Sequence, residues 1–289
     1  MKFAYLIMAH DNEAQLKLLI KVLDYKENDI YLHIDKKSEL KEKVFEVRNA
    51  KLYIYRKVSV YWGDISQTKC QFFLLNEALK SYHDYYHLLS GHDFPIKPHK
   101  EIVAFFEKNA GKQFIHFESK DYCIKETCRY YHILAPLLLR SRNRYLKNKI
   151  GWIEEKILAF QRGRKVKRRL FCGANWYSIT HDLALEFCSK QNKILKIVKW
   201  TISSDEYVLQ TFYRTMATGK YELFAETKGP ADYHSVAREI DWNRGTPYVW
   251  RNEDFEYLMN SERMFARKFD QKIDFKIIKK IEGIIRNDI

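Results

Sequence analysis

The chain has 289 residues, 46% hydrophobic and 30% charged, with only 10 glycines and 5 prolines, which excludes a disordered or fibrous protein. Its net charge of +14 points to anionic partners such as lipid headgroups, nucleic acid or phosphorylated substrates. Five cysteines without a CxxC spacing (Cys70, Cys123, Cys128, Cys172, Cys188) disfavour a disulfide framework and a zinc cluster, and suit a reducing compartment.

The opening "MKFAYLIMAHDN" carries an apolar run only from Phe3 to Ala9 and no cleavage site, so it reads as a first strand rather than a signal peptide. Leu16, Leu19, Ile20 and Leu23 repeat at helical spacing over 12–25, and "DIYLHID" is a second strand. "SELKEKVFEVRN" predicts a helix from 38 with Ser38 as N-cap, without the full capping box because Lys41 stands at the third position. "KLYIY" predicts a strand, 64–82 a helix, "YYHLLS" a fourth strand, "HKEIVAFFEKN" a helix and "KQFIHF" a strand. Strands separated by helices predict a largely parallel sheet covered on both faces, in one α/β domain spanning 1–289.

After the fourth strand comes "GHDFPIKP", where Gly91 permits a positive φ and Pro95 and Pro98 withhold amides from a ladder. The strand should therefore stop in a rigid turn carrying His92 and Asp93, at the edge where open α/β sheets bind ligands.

From Arg140 to Arg169 stand twelve basic residues against Glu154 and Glu155, interleaved with Tyr145, Ile150, Trp152, Ile153, Ile157, Leu158 and Phe160. That pattern suits a helical hairpin with a basic face on anionic lipid or a phosphorylated substrate. The longest other apolar run, Ile133–Leu139, falls far short of the ~20 residues of a membrane span. Further on, "LFCGANWYSIT" is strand-like, "HDLALEFCSKQ" a helix, "TISSDEYVLQTFYRT" a loop into a helix, and "FKIIKKIEGIIRN" an amphipathic C-terminal helix.

Neither a GxxxxGK[ST] loop nor a GxGxxG turn occurs, so a nucleotide must be held in another way. Asp35 ends the second strand, where a carboxylate can take hydrogen bonds from a base or ribose, although a turn aspartate looks the same. Ser203, Ser204, Asp205 and Glu206 open a helix, a place for a capping group or a rigid catalytic carboxylate. Arg244, Arg267 and Lys268 supply cations able to neutralise a diphosphate. "HID" and "GHD" each offer a single carboxylate, which gives little to a divalent metal.

In order along the chain, "AYLIMAH", "YLHIDKKS", "VSVYWGDIS", "HLLSGHDFPIKPHKEI", "LFCGANWYSIT", "SSDEYVLQT", "VAREIDW" and "MFARKFD" resemble the core-2/I-branching glycosyltransferases (family 14), which include β-1,6-N-acetylglucosaminyltransferases and peptide O-xylosyltransferases. The resemblance implies a GT-A-type nucleotide-sugar fold and an inverting, metal-independent transfer from a UDP-sugar, with no cofactor. It implies Glu206 as catalytic base, Lys268 and Arg244 on the donor diphosphate, and His10 and Asp35 on the uridine. Trp242, Glu118, Lys125 and Arg129 fall at acceptor-binding positions.

It further implies a nucleotide-sugar half (1–118), a basic insertion (119–169) and an acceptor and catalytic half with the C-terminal helix (170–289). Against animal members, the expectation is a chain with no N-terminal anchor; it also departs from them in its cysteine set and in having Ser204 where proline is common. The expectation is a bacterial-type enzyme, cytoplasmic or peripheral on the inner face of the membrane. It would move N-acetylglucosamine to a lipid-linked or polysaccharide acceptor, with UDP-xylose or UDP-glucose as alternative donors. The rival from another class is a basic lipid- or nucleic-acid-binding protein that does no chemistry, although no nucleic-acid module is recognisable.

Overall fold

The computed structural model describes residues 1–119, 121, 123, 125–141, 143–161, 163 and 170–286. Nine strands alternate with helices: β1 Phe3–Ala9, α1 Glu13–Val22, β2 Asn28–Ile34, β3 Lys51–Tyr55, α2 Ile65–Ala78, β4 Tyr85–Ser90, β5 Asp93–Pro95, α3 His99–Lys108 and β6 Phe114–Ile115. Then follow α4 Glu126–Arg129, α5 Ala135–Arg140, α6 Arg144–Ala159, β7 Tyr177–Thr180, α7 His181–Ser189, α8 Gln191–Val198 and α9 Val208–Met216. The chain closes with β8 Arg238–Ile240, α10 Phe255–Asn260, β9 Phe265–Arg267 and α11 Phe275–Arg286.

Six strands form one sheet in the order β3-β2-β1-β4-β7-β6. The first four run parallel, and β7 joins antiparallel to both β4 and β6. The expected parallel α/β sheet is present, with an antiparallel edge. β1 is apolar on both faces because both are covered, and its period of two splits it between two cores. Phe3, Tyr5, Ile7 and Ala9 join the core under α1, α3 and α11, while Ala4 and Leu6 join the one under α2, α7 and α9.

A second sheet, β5-β9-β8, lies beyond the end of β4 and escaped the sequence reading, since three-residue strands show no period. The "GHDFP" stretch does not end pairing: Asp93–Pro95 pairs antiparallel with Phe265–Arg267. Pro95 is tolerated because β5 is an edge strand. Gly91 does not use a positive φ either; a Cβ there would meet the Ala9 Cβ at 3.2 Å, so close packing explains it. The fully buried Arg238 of β8 ties the sheets together, donating to the carbonyls of Leu88 and Tyr177 at 3.0 Å each and of Val236 at 2.7 Å.

The helix expected from Ser38 is absent; 38–50 holds only a 3₁₀ turn, Glu42–Val44. Distant side chains satisfy its backbone instead. Arg56 donates to the carbonyls of Ser38 and Leu40, and the Asp24 carboxylate accepts from the amides of Arg48, Asn49 and Ala50. Ser38 caps no helix, and its hydroxyl donates to the His10 carbonyl at 2.6 Å, joining the ends of β1 and β2. Of the basic segment, α5 and α6 are present, whereas Arg142, Arg162, Arg164, Lys165, Lys167, Arg168 and Arg169 lie outside the described residues.

Candidate active site

Glu206 ends a 3₁₀ turn, Ser204–Glu206, just before α9. Ser203 enters it in the left-handed region (φ 57°) and donates its amide to the carbonyl of Gly63 at 2.7 Å. The hydroxyls of Thr68 and Ser204 meet at 2.6 Å, so the start of α2 holds this loop from below. Gly173 donates its amide to the Glu206 carbonyl at 3.0 Å.

The two neighbouring carboxyl groups have different surroundings. Asp205 is buried, and its Oδ2 accepts from Gln67 Nε2 at 2.7 Å and Asn175 Nδ2 at 2.9 Å. Burial pushes its carboxyl up to about 6. Glu206 is half-buried, and no hydrogen bond reaches its carboxylate from the described residues. Burial first, and then the neighbouring Asp205 charge, push it up to about 7, with Lys125 opposing. The positive end of a helix dipole favours an ionised carboxylate, but desolvation and like charge win here. A partly exposed carboxylate titrating near neutrality, with no internal donor, is suited to accept a proton from a bound hydroxyl.

Around Glu206 stand residues from three other segments. Lys125 Nζ donates to Glu118 Oε1 at 2.6 Å, and the charge of Glu118 also acts on Glu206. Tyr233 stacks on His116 with ring centroids 4.8 Å apart, lies within reach of the charges of Glu118 and Glu206, and has the Trp242 indole beside it. The indole of Trp242 is 48% exposed, an open apolar platform of the kind that sugar rings cover. Glu118, Lys125, Trp242 and Glu206 therefore lie near one another. Arg129 does not join them; it is exposed on α4 beside the ring of its neighbour Tyr130.

The cations lie at the end of β9 and in the loop after β8. Arg267 donates to Asp93 Oδ1 at 2.8 Å and Ser90 Oγ at 2.6 Å, and its guanidinium lies 4.3 Å from the centre of the Trp176 ring. Because Asn175 holds Asp205, the Asn175–Trp176 pair joins the carboxylate side to the β9 side. Lys268 follows Arg267, and among the described residues no ion pair engages its ammonium. Arg244, the expected second cation, is bound to both Asp241 and Asp254 and packs 4.0 Å from the Tyr248 ring centre. Its charge is already matched.

At the ends of β1 and β2, His10 is exposed. Asp35 is buried, its oxygens taken by Lys37 Nζ at 2.7 and 2.9 Å and by the amides of Lys37 and Val60. It fixes the turn and presents Lys37 with it. A separate cavity of about 370 Å³, lined by Lys69, Lys196, Lys199 and Trp200 among others, contains none of the expected site residues.

Residues 3–259 match the sequence profile of the Core-2/I-Branching enzymes. The chain belongs to that family. Core-2/I-branching enzymes are glycosyltransferases, and the curated relatives bear such names. A Bos taurus xylosyltransferase 2 is 28% identical over 97% of this chain and 33% of its own length. Two β-1,3-galactosyl-O-glycosyl-glycoprotein β-1,6-N-acetylglucosaminyltransferases cover nearly all of this chain: one from Bos taurus at 23% identity (98% of this chain, 69% of the relative) and form 4 from Danio rerio at 21% (96% and 68%). A Rattus norvegicus xylosyltransferase 2 is 29% identical over 42% of this chain and only 15% of its own length, so the xylosyltransferases extend well beyond the matched part.

Within this family member, sequence reasoning missed Tyr233, which no periodicity or motif marks. Gly173 lay inside a quoted block, but its role was hidden: a Cβ there would fall 1.9 Å from the His116 carbonyl oxygen. No described helix is long and apolar enough to cross a membrane.

Proposed function

We propose that this chain is an inverting GT-A-type glycosyltransferase that moves a sugar, N-acetylglucosamine, from a UDP-sugar to a glycan hydroxyl without a required metal. The observation that carries this reading is Glu206, raised to about 7 and without a hydrogen-bond donor among the described residues, set among an indole platform and the Glu118–Lys125 pair. In this reading the acceptor sugar stacks on Trp242 and hydrogen-bonds Glu118 and Lys125. Glu206 takes the proton of the attacking hydroxyl, which displaces UDP from the opposite face of the anomeric carbon.

The departing diphosphate carries negative charge toward Lys268, whose ammonium has no ion-pair partner among the described residues and supports it as the electrophilic partner. Arg244 would serve second, once phosphate competes with Asp241 and Asp254 for its guanidinium. His10 and the Asp35–Lys37 pair bracket the uridine. UDP-xylose on the same scaffold is favoured by the xylosyltransferase relatives. A panel of UDP-sugars, scored for UDP release with and without glycan acceptors, decides between donors. No release with any of them would return the chain to the class of non-catalytic basic binding proteins.

The acceptor in this reading is lipid-linked, and α6 docks on the anionic surface that holds it, at the inner face of the cell membrane. One face of α6 and the residue after it presents Tyr145, Trp152 and Phe160 at 78, 61 and 89% exposure, with Lys149 and Lys156 between them. Exposed aromatics alternating with lysines match the headgroup layer of an anionic bilayer. Nucleic acid is not the expected partner of this face.

A further inference from the structure

Among the described residues, one group of three ligand-type side chains brings its ligating atoms together: His10, Asp11 and His92. His10 and Asp11 follow β1, and Asn12 (φ 57°) then turns the chain into α1. His92 belongs to the turn between β4 and β5, so two neighbouring strand ends meet here. Asp11 Oδ1 lies 3.1 Å from His92 Nε2 and 3.6 Å from His10 Nε2, and all three ligand atoms fall within 4.8 Å of one another. Tetrahedral zinc, with bonds of roughly 2.0–2.1 Å, sets neighbouring ligand atoms about 3.4 Å apart.

The surroundings also fit an ion. His92 is 8% exposed, and its Nδ1 faces the Phe269 carbonyl at 2.9 Å. The Asn12 side-chain nitrogen lies 3.4 Å from the same Nδ1, and the ring turns its Nε2 toward the Asp11 carboxylate. At 3.1 Å, Nε2 and Oδ1 are close enough to hold a proton or a metal ion between them. A backbone carbonyl holding the far nitrogen is the usual outer support of a metal-binding histidine. Two imidazoles and one carboxylate suit zinc, whereas magnesium and calcium take oxygen ligands.

We propose that His10, Asp11 and His92 form a zinc-type divalent cation site with three protein ligands and an open fourth position on the exposed His10 side. The ion is not needed to balance the donor diphosphate. Because the proposed function also places His10 beside the uridine, bound zinc and donor would compete, a consequence that rests on that reading.

The test is zinc titration of the intact, chelator-treated protein by calorimetry, checked against a chromogenic zinc chelator, with no donor present. One zinc per chain should bind at micromolar concentration or tighter, and magnesium should not. His92→Ala and Asp11→Asn should each weaken binding by about 10–100-fold. His10→Ala, which alters an exposed side chain, should do the same, and zinc should raise the melting temperature of the parent protein but not of this variant. No zinc binding by the parent protein, or equal binding by all three variants, overturns the site and leaves His92 and Asp11 sharing a proton. These readouts are independent of sugar transfer, so a failed donor reading leaves them interpretable.

Discussion

The amide of Gly173 donates to the carbonyl of Glu206 at 3.0 Å from a position where only glycine fits, since a Cβ would lie 1.9 Å from the His116 carbonyl oxygen. One backbone contact thus fixes the candidate base against the strand end that carries Glu118. Gly173→Ala must move either that strand or the catalytic turn, because the obstacle is backbone. We expect a loss of more than about 2 kcal/mol in stability, with transfer falling further than the folded fraction explains. Chemical denaturation beside initial rates measures both; a fully active, fully stable variant would contradict the geometry.

Glu206 should dominate the pH profile of transfer. With its carboxyl at about 7, kcat/KM should fall roughly tenfold per pH unit well below 7 and level off above it. Glu206→Gln should lower the rate by about 10²–10⁴ while donor affinity by calorimetry stays near that of the parent. A folded variant keeping a tenth of the rate would move the role to Asp205.

The same carboxyl costs stability. Its folded value, about 7, lies above the ordinary 4.5, so folding favours the protonated form. Stability from this group is therefore present below about 4.5 and lost as pH rises through about 7. Glu206→Gln should match the parent's stability near pH 4 and exceed it at pH 8 by on the order of 2–3 kcal/mol, read as a higher melting temperature at pH 8 only. Equal melting at both values would show that the carboxylate is better solvated than its surroundings imply.

If Lys268 balances the diphosphate, transfer should persist in excess EDTA, and Lys268→Ala should lose about 10²–10³ in rate. Activity lost on chelation and restored by manganese would assign that work to a metal. Arg244→Ala should act differently, destabilising the loop through Asp241 and Asp254 as well as slowing transfer.

The α6 face gives a prediction of its own. The protein should float with vesicles containing anionic lipid and remain behind with neutral ones, and the attraction should fade with salt. Replacing Trp152 and Phe160 by Ser should abolish flotation without touching soluble-acceptor turnover. Retained flotation would locate the lipid contact elsewhere.

The first four strands and the helices between them were legible because a sheet covered on both faces writes long apolar runs into the sequence. Several of the failures share one cause, which is that distant side chains decided the outcome. Arg56 and Asp24 took the backbone groups of 38–50 away from a helix. Glu206 could be singled out as a carboxylate, but not its raised pKa, which depends on burial and on Glu118 from another segment. Arg244 read as a free cation because Asp254 is ten residues away on the next turn. α8 is a plain omission, since Ile194 and Val198 sit one helical turn apart and both are buried.

β9, paired on one side with β5 and on the other with β8, makes catalytic competence a late event in the life of the chain. A ribosome that has released residues up to Thr180 has delivered every strand of the six-stranded sheet, but neither the base nor the cation. Glu206 arrives next, and Lys268 is placed only when Phe265–Arg267 slots between two segments already folded. On the proposed reading, prematurely terminated chains would thus be folded in part and chemically silent, lacking Lys268 to support a departing diphosphate.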